Sequence, residues 1–271
     1  MTYAYFPGCK IAHHLPGHGR SVEAVCARLG ITLATPEFTC CGYPVRHESR
    51  DASVYSALRN LALAESLGQD LMTPCKCCYG NFQQARHQID TDKNLKSRMR
   101  YLLEGEGLPM PETVRVRHFL QVLDAERDAV TRAISHPLQF KVACHYGCHA
   151  LRPENITHFD DPLAPTIFER LVAATGATPL NWELRLECCG YPLRGRDEHI
   201  SDLLMAKKMA SAKASGADVL ATACTYCQLQ FGRETGHIPA VLFPQLLGLA
   251  LGLAPGDLGL IDADLSWLEK E

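Results

Sequence analysis

The sequence predicts an α/β protein made of two tandem, pseudo-symmetric halves, each with a small parallel sheet and with cysteine loops at the carboxyl ends of its strands. Three observations predict it. Short β-branched or apolar runs alternate with helix-like segments in both halves, the pattern of parallel strands joined by crossover helices. One order of cysteines occurs twice: a single Cys, an adjacent pair inside CCGYP, then C-x-x-C. Each cysteine element follows directly on a strand-like run, so the sulfurs gather at one sheet edge, where α/β folds place their sites.

In the first half, Tyr3-Ala4-Tyr5-Phe6 reads as a strand leading into Pro7-Gly8-Cys9. A helix pattern from Ser21 to Leu29 follows and is closed by Gly30, a residue suited to the left-handed turn that ends helices. Ile31-Thr32-Leu33-Ala34 is the strand before Cys40-Cys41. A long helix from about residue 52 to Leu67 then stops at Gly68, and Asp70-Leu71-Met72-Thr73 delivers Pro74-Cys75. The second half repeats this order with FKVACHYGC, a helix over 166–174 ending at Gly176, ATPLNW, CCGYP, a helix over 199–214 ending at Gly216, and DVLATAC.

Between them, residues 90–137 carry a charged helical stretch (KNLKSRMRYLLEGEG), a proline-rich turn (Leu108-Pro109-Met110-Pro111) and the helix-like run VRHFLQVLDAERDAV. No counterpart is evident in the second half. The segment reads as a helical connector, or more sharply as a docking surface for a partner subunit. The boundary is placed near Ser135-His136-Pro137, giving a first domain of 1–137, with the connector at about 90–137, and a second of 138–271.

Composition limits how such cysteines are used. A chain of 271 residues with 46% hydrophobic content buries one large core or two ordinary ones and needs no disulfide scaffold. MTYAYFPGCKIAHH has no basic region followed by a long apolar run, so no secretory signal is expected. The apolar stretch VLFPQLLGLALGLAPG from Val241 is short and broken by Pro244, Gly248 and Gly252, so no membrane span is expected. The expectation is a soluble, cytoplasmic chain with reduced thiols, which favours metal or redox chemistry over disulfides. A net charge of −3 argues against nucleic acid as a partner.

Ten of the thirteen cysteines belong to the repeat: Cys9, Cys40, Cys41, Cys75 and Cys78, then Cys148, Cys188, Cys189, Cys224 and Cys227. The spacings nearly match, with 30 and 39 residues between the single Cys and the pair, and 33 and 34 between the pair and C-x-x-C. Adjacent cysteines do not readily form a disulfide with each other, but in an extended turn their sulfurs can reach different atoms of one polynuclear cluster. A tetrahedral zinc takes four ligands, so five thiolates per half suggest an iron–sulfur cluster. Zinc with one idle Cys in each half is the plainer alternative. Gly42 and Gly190 suit a loop that turns sharply beside the cluster.

FPGCK, both CCGYP elements, PCKCC, HYGCHALRP, ATACTYC and FPQLLGLALGL make the chain resemble, over nearly its whole length, the B-type chain of heterodisulfide reductase and its bacterial relatives, which carry two CCG domains. The resemblance implies a noncubane [4Fe-4S] cluster on each five-cysteine set, all ten positions being present. It implies a disulfide substrate split, or in reverse a thiol pair joined, between the two clusters. It also implies a C-type subunit with ferredoxin-like [4Fe-4S] clusters as electron partner and, further upstream, a flavin-bearing A-type subunit, with membrane association only through partners. The chain itself has no G-x-G-x-x-G for a flavin or nicotinamide.

Three cysteines remain. Cys26 lies between apolar neighbours in SVEAVCARLG and reads as a buried, inert thiol. Cys77 and Cys144 sit beside ligand positions and are alternative ligands to Cys78 and Cys148. His145 and His149 flank Cys148 and are candidate donors to cluster sulfur. Lys10, His13, His14, His18 and Arg20 form a local basic stretch, either a surface for an anionic thiol or a solvated loop. Two rival functions stand beside disulfide chemistry: an electron-transfer CCG subunit of a quinone-, fumarate- or lactate-linked complex, and a zinc-stabilised interaction module.

Overall fold

A computed structural model of the chain describes residues 1–233, 238–260 and 265. The first half runs β1 (Thr2–Tyr5), α1 (Cys9–His14), α2 (Pro16–Arg28), β2 (Thr32–Ala34), α3 (Arg50–Ser66), β3 (Leu71–Thr73), α4 (Lys76–Thr91), α5 (Lys93–Gly105), β4 (Val116–His118), α6 (Phe119–Ala125) and α7 (Arg127–Ala133). The second runs β5 (Lys141–His145), α8 (Glu154–Thr157), α9 (Ile167–Ala174), β6 (Thr178–Leu180), α10 (Glu198–Ala214), β7 (Val219–Thr222), α11 (Thr225–Phe231), β8 (Ala240–Leu242) and α12 (Phe243–Ala250). Both sheets have four parallel strands, ordered β2-β1-β3-β4 and β6-β5-β7-β8. The α/β class and its twofold repeat are as the sequence predicts.

The segment 90–137 is more than a connector. Leu71, Met72 and Thr73 pair in register with Val116, Arg117 and His118, so β4 is the outer strand of the first sheet. Its counterpart is β8, whose Ala240, Val241 and Leu242 pair with Leu220, Ala221 and Thr222. Both strands run straight into a helix held by the same device. The Gln121 side chain accepts from the His118 N–H, and the Gln245 side chain from the Leu242 N–H, each at 3.1 Å. Besides α7, one helix has no helical equivalent among the described residues of the second half, α5. It buries Leu95, Met99 and Leu103 against α3 and α4.

The halves join through reciprocal contacts. Helix α2 packs on α12 and α9 packs on α6; α1 meets α11 and α8 meets α4. Each contact has its mirror image, as in an isologous dimer fused into one chain. A single cluster of buried residues runs through both sheets, from Ala4 and Met72 to Val142 and Leu220. The arrangement brings the amino ends of α4 and α11, where the two C-x-x-C elements lie, toward each other.

Candidate functional site

Cys75 caps the amino end of α4 and Cys224 that of α11, both with extended backbone, so each C-x-x-C spans a strand end and a first helical turn. Each CCGYP folds as a glycine in the left-handed region, Gly42 at φ 87° and Gly190 at φ 89°, followed by a short 3-10 turn. A Cβ at Gly42 would run into the carbonyl oxygen of Ser53, and one at Gly190 into that of Ser201. Glycine is therefore required for both conformation and space.

These loops line the sulfurs up. In the first half they interact in the order Cys9, Cys40, Cys41, Cys78, Cys75. In the second the order is Cys148, Cys188, Cys189, Cys227, Cys224. The two rows of sulfurs touch where Cys75 meets Cys224. All ten predicted cysteines are thus in two contiguous sets of five. Hydrogen bonds from the Cys41 and Cys9 thiols and from the Gly42 N–H, 3.4 Å away, hold the Cys40 thiol down to about 2. Cys148, Cys189 and the Gly190 N–H, also at 3.4 Å, do the same for Cys188, again to about 2. Each set therefore carries a thiolate within it. Five sulfurs joined neighbour to neighbour in one row outnumber the four ligands of a tetrahedral zinc and fit a polynuclear iron–sulfur cluster better.

The neighbouring cysteines separate. Cys144 is buried in β5, and its thiol is pushed up by burial and by the charge of Glu169, with no cysteine among its perturbing neighbours. Cys26 is buried in α2, its pKa pushed up to about 12 by burial. Cys77 lies at the junction of the halves, 3.8 Å from Cys224 Sγ and 3.8 Å from His149 Nδ1.

Both candidate histidines touch sulfur. His145 is buried, with Nε2 3.2 Å from Cys227 Sγ, and burial lowers its pKa so that it is neutral. Its Nε2, Cys189 Sγ and Cys227 Sγ lie within 4.8 Å of one another. His149 places Nδ1 3.3 Å from Cys148 Sγ and Nε2 2.9 Å from the Tyr43 hydroxyl. With Nδ1–H donating to sulfur, Nε2 is left to accept the Tyr43 proton, which burial keeps on its oxygen by raising the phenol pKa.

A cavity of about 400 Å³ opens at this junction, lined by all five cysteines of the second set and by Lys76, Cys77, Tyr43 and His149. Its wall includes Arg46, His47, Arg194 and Arg196. The basic stretch of the first loop is not part of it: among those residues only Lys10 borders a space beside the first sulfur set, and that space is about 10 Å³. His18 is buried in α2, and burial lowers its pKa to about 4. Sequence reasoning therefore missed the cavity's cations. Their signal was present in the repeat, since CCGYPVR and CCGYPLR put Arg46 and Arg194 at the same offset.

Two buried lysines complete the surroundings. Lys76 Nζ donates to the carbonyl oxygens of Tyr146 at 2.9 Å and His145 at 3.3 Å. Lys208 Nζ donates to the carbonyls of Leu184 and Glu187, and burial lowers its pKa to about 8, against the raising effect of Cys227 and Cys189.

The cysteine-rich CCG domain family matches the chain twice, over residues 3–83 and 142–232. The chain is 32% identical to the B-type chain of the ferredoxin/F(420)H(2)-dependent CoB-CoM heterodisulfide reductase of Methanosarcina acetivorans, over 94% of this chain and 91% of that protein. It is 31% identical to the 8-methylmenaquinol:fumarate reductase membrane anchor subunit of Wolinella succinogenes, over 95% of each. No helix among the described residues is long and apolar enough to cross a membrane. Among solved structures, a hypothetical protein from Helicobacter pylori superposes with a TM-score of 0.76 at 16% identity, a likeness of fold alone. That match covers 96% of this chain and 51% of the other, so the chain spans about half its length.

Proposed function

The chain belongs to the cysteine-rich CCG family, in the group of the heterodisulfide reductase B-type chains and their relatives, and on that premise we propose that it is the iron–sulfur subunit of an oxidoreductase complex that cleaves, or in reverse forms, a disulfide. The observation that carries the reading is the cavity beside the second sulfur set, whose Cys224 meets Cys75 of the first. An electron relay needs no such space. Two [4Fe-4S] clusters of noncubane type, one on each set, would supply one electron each and Lewis acidity toward sulfur.

The chain's own residues then have separable tasks. Arg46, Arg194 and Arg196 present positive charge at the cavity wall, where they orient a substrate with anionic groups. Tyr43 and His149, joined at 2.9 Å, both line the cavity, where the Tyr43 hydroxyl can turn to give a departing thiolate a hydrogen bond and take its next proton back through His149. Tyr226 lies between Tyr43 and Tyr191, with ring centroids 5.6 and 4.9 Å away, and the three rings line the cavity beside the sulfurs. Electrons arrive from a partner protein, a C-type subunit with ferredoxin-like clusters, itself supplied by a flavin-bearing A-type subunit.

The Wolinella relative supports a second reading, an electron-transfer subunit of a quinone- or fumarate-linked complex. The two are told apart by anaerobic purification, iron and sulfide analysis, and disulfide reduction by the complex with an artificial donor. About eight irons and eight sulfides, following from about four of each per set, with disulfide turnover support the proposal. The same metal content without turnover supports electron transfer, and stoichiometric zinc without iron would sink both.

A further inference from the structure

The sulfur sets match position for position, but the side chains around them do not. Lys76 follows Cys75 on the first C-x-x-C, yet its ammonium crosses to the second half. There it bonds the His145 and Tyr146 carbonyls, lies 4.9 and 5.1 Å from the Tyr146 and Phe168 rings, and lines the cavity with the second sulfur set. Its equivalent on the second C-x-x-C, Thr225, crosses the other way. It borders the small space beside Cys9, Cys41, Cys75 and Cys78, where its buried hydroxyl has no hydrogen-bond partner among the described residues.

Two further pairs follow the same rule. Asn60 in α3 and Lys208 in α10 stand at the same offset from their CCG glycines, and both donate to the backbone at the entry to the cysteine pair. Asn60 bonds the carbonyls of Thr39 and Cys40 at 3.3 and 3.0 Å, while Lys208 bonds Glu187 at 2.8 Å. Phe6 and His145, each three residues before the first cysteine of its set, stack edge-on against Phe82 and Phe231 with ring centroids 5.0 Å apart. Of this pair only His145 sets a ring nitrogen against a ligand sulfur, Nε2 3.2 Å from Cys227 Sγ, where it donates once that sulfur is a metal-bound thiolate.

At these positions the first set has Thr225, Asn60 and Phe6, all neutral, and the second has two buried ammonium groups and the His145 ring nitrogen, with His149 Nδ1 a further ring nitrogen 3.3 Å from Cys148 Sγ. On the second side Glu169, the carboxylate that acts on Lys76, is paired with Arg185 at 3.0 Å and accepts a hydrogen bond from the Tyr146 hydroxyl, while Glu187, next to Cys188, acts on Lys208. On the first side Lys10 is solvated, and a charge in water acts roughly fourfold more weakly than one at the effective dielectric of a buried site. Positive charge and sulfur-directed N–H groups stabilise the reduced, more negative state of a cluster.

We propose that Lys76, Lys208 and His145 make the second five-cysteine set the higher-potential one, so that the first of two electrons delivered by a one-electron donor rests there and the second electron goes to the first set. This rests on the two-cluster reading above. It gives the pseudo-symmetric chain a fixed electronic polarity. The three residues act as positioning groups for charge and need not touch the substrate.

The test is a potentiometric titration of the anaerobically purified full chain, followed by electron paramagnetic resonance and absorption, after iron and sulfide have been counted. Two one-electron waves are expected, with electron exchange favouring the second set about tenfold or more, that is about 59 mV or more for one electron. His145→Phe gives the second set the residue of the first; it should lower the upper wave and leave the other unmoved. Lys76→Met should do the same, and Phe6→His should raise the lower wave. His145→Phe carries the test alone if the buried lysine variant does not fold, because Phe6 shows that phenylalanine fits this position. Coincident waves in the wild type, or movement of the lower wave in His145→Phe, overturns the inference while leaving the function standing. Loss of half the iron in His145→Phe makes His145 a ligand and also overturns it. A wild-type chain with fewer than two clusters overturns the functional reading itself.

Discussion

The Tyr43 hydroxyl lies 2.9 Å from His149 Nε2, so the CCGYP turn of the first half is bonded to the cysteine loop of the second. The rings meet edge-on with centroids 5.1 Å apart, and the Arg46 guanidinium covers the other face of Tyr43 at 3.7 Å. This contact is made by the two halves together. It fixes the orientation of the His149 ring, with Nε2 on Tyr43 and Nδ1 on Cys148 Sγ.

Tyr43→Phe should therefore leave metal content unchanged and impair chemistry. Neither residue belongs to the five-sulfur sets, so iron and sulfide should equal wild type. The orphaned imidazole nitrogen should cost about 1–3 kcal/mol in a denaturant titration. Disulfide turnover should fall roughly 100-fold if the pair supplies protons. His149→Gln, which keeps an amide donor toward Cys148, should lose less than His149→Ala.

Gly42→Ala and Gly190→Ala should each destabilise the chain by at least about 1–2 kcal/mol for the left-handed backbone alone. The clash with the Ser53 or Ser201 carbonyl adds to it. Because Gly42 N–H also bonds Cys40 Sγ, and Gly190 N–H bonds Cys188 Sγ, metal should be lost first from the mutated half. Iron analysis with thermal denaturation checks this. An alanine variant with full iron and wild-type stability would show that the loop re-forms another way.

Acid stability should report His18. Burial holds its pKa near 4, below the ordinary 6.5, and neither ring nitrogen has a hydrogen-bond partner among the described residues. A histidine with a depressed folded-state pKa binds fewer protons folded than unfolded between those values. Its contribution is fully present above pH 6.5 and is lost as pH falls through 4. The slope is about 1.4 kcal/mol per pH unit, on the order of 3 kcal/mol in all. In His18→Leu the midpoint of denaturant unfolding should change correspondingly less between pH 6.5 and 4. Equal pH profiles for the two proteins would mean that His18 titrates normally.

The fold class was legible in the sequence because local patterns specify it. β1, β5 and β7 are short apolar runs, and the glycines after their helices mark the stops. β4 was not legible. Its three residues, Val116-Arg117-His118, carry two polar side chains and flow straight into α6, so the helical period of the following residues masked them. The ten cysteines could be found by their repeat, and His145 and His149 by adjacency. Lys76 could not be placed, because its role depends on α4 approaching the second half, a contact between residues 69 and 70 positions apart that no local pattern encodes. The shared offset of Arg46 and Arg194 is legible in CCGYPVR and CCGYPLR, but that both arginines reach the cavity depends on the two turns facing each other across the joint.

The last expectation concerns how the two sets cooperate. Cys41→Ala and Cys189→Ala each remove one sulfur from the middle of one row of five, and each should halve the iron content, because the sets touch only through Cys75 and Cys224. The reciprocal packing of α2 on α12 and α9 on α6 should keep both variants folded, as neither helix pair contains a ligand. If a disulfide is split at the joint, one set can deliver one electron and serve one sulfur, leaving the other as an unstabilised radical. Either single variant should then lose nearly as much rate as the double variant, the non-additivity expected of groups that act as a unit. A relay through one set would instead leave one single variant close to wild type. Disulfide reduction by the complex with an artificial donor, compared across wild type, both single variants and the double variant, distinguishes these outcomes. Near-wild-type turnover in either single variant would rule out cleavage at the joint and assign the chain to electron transfer.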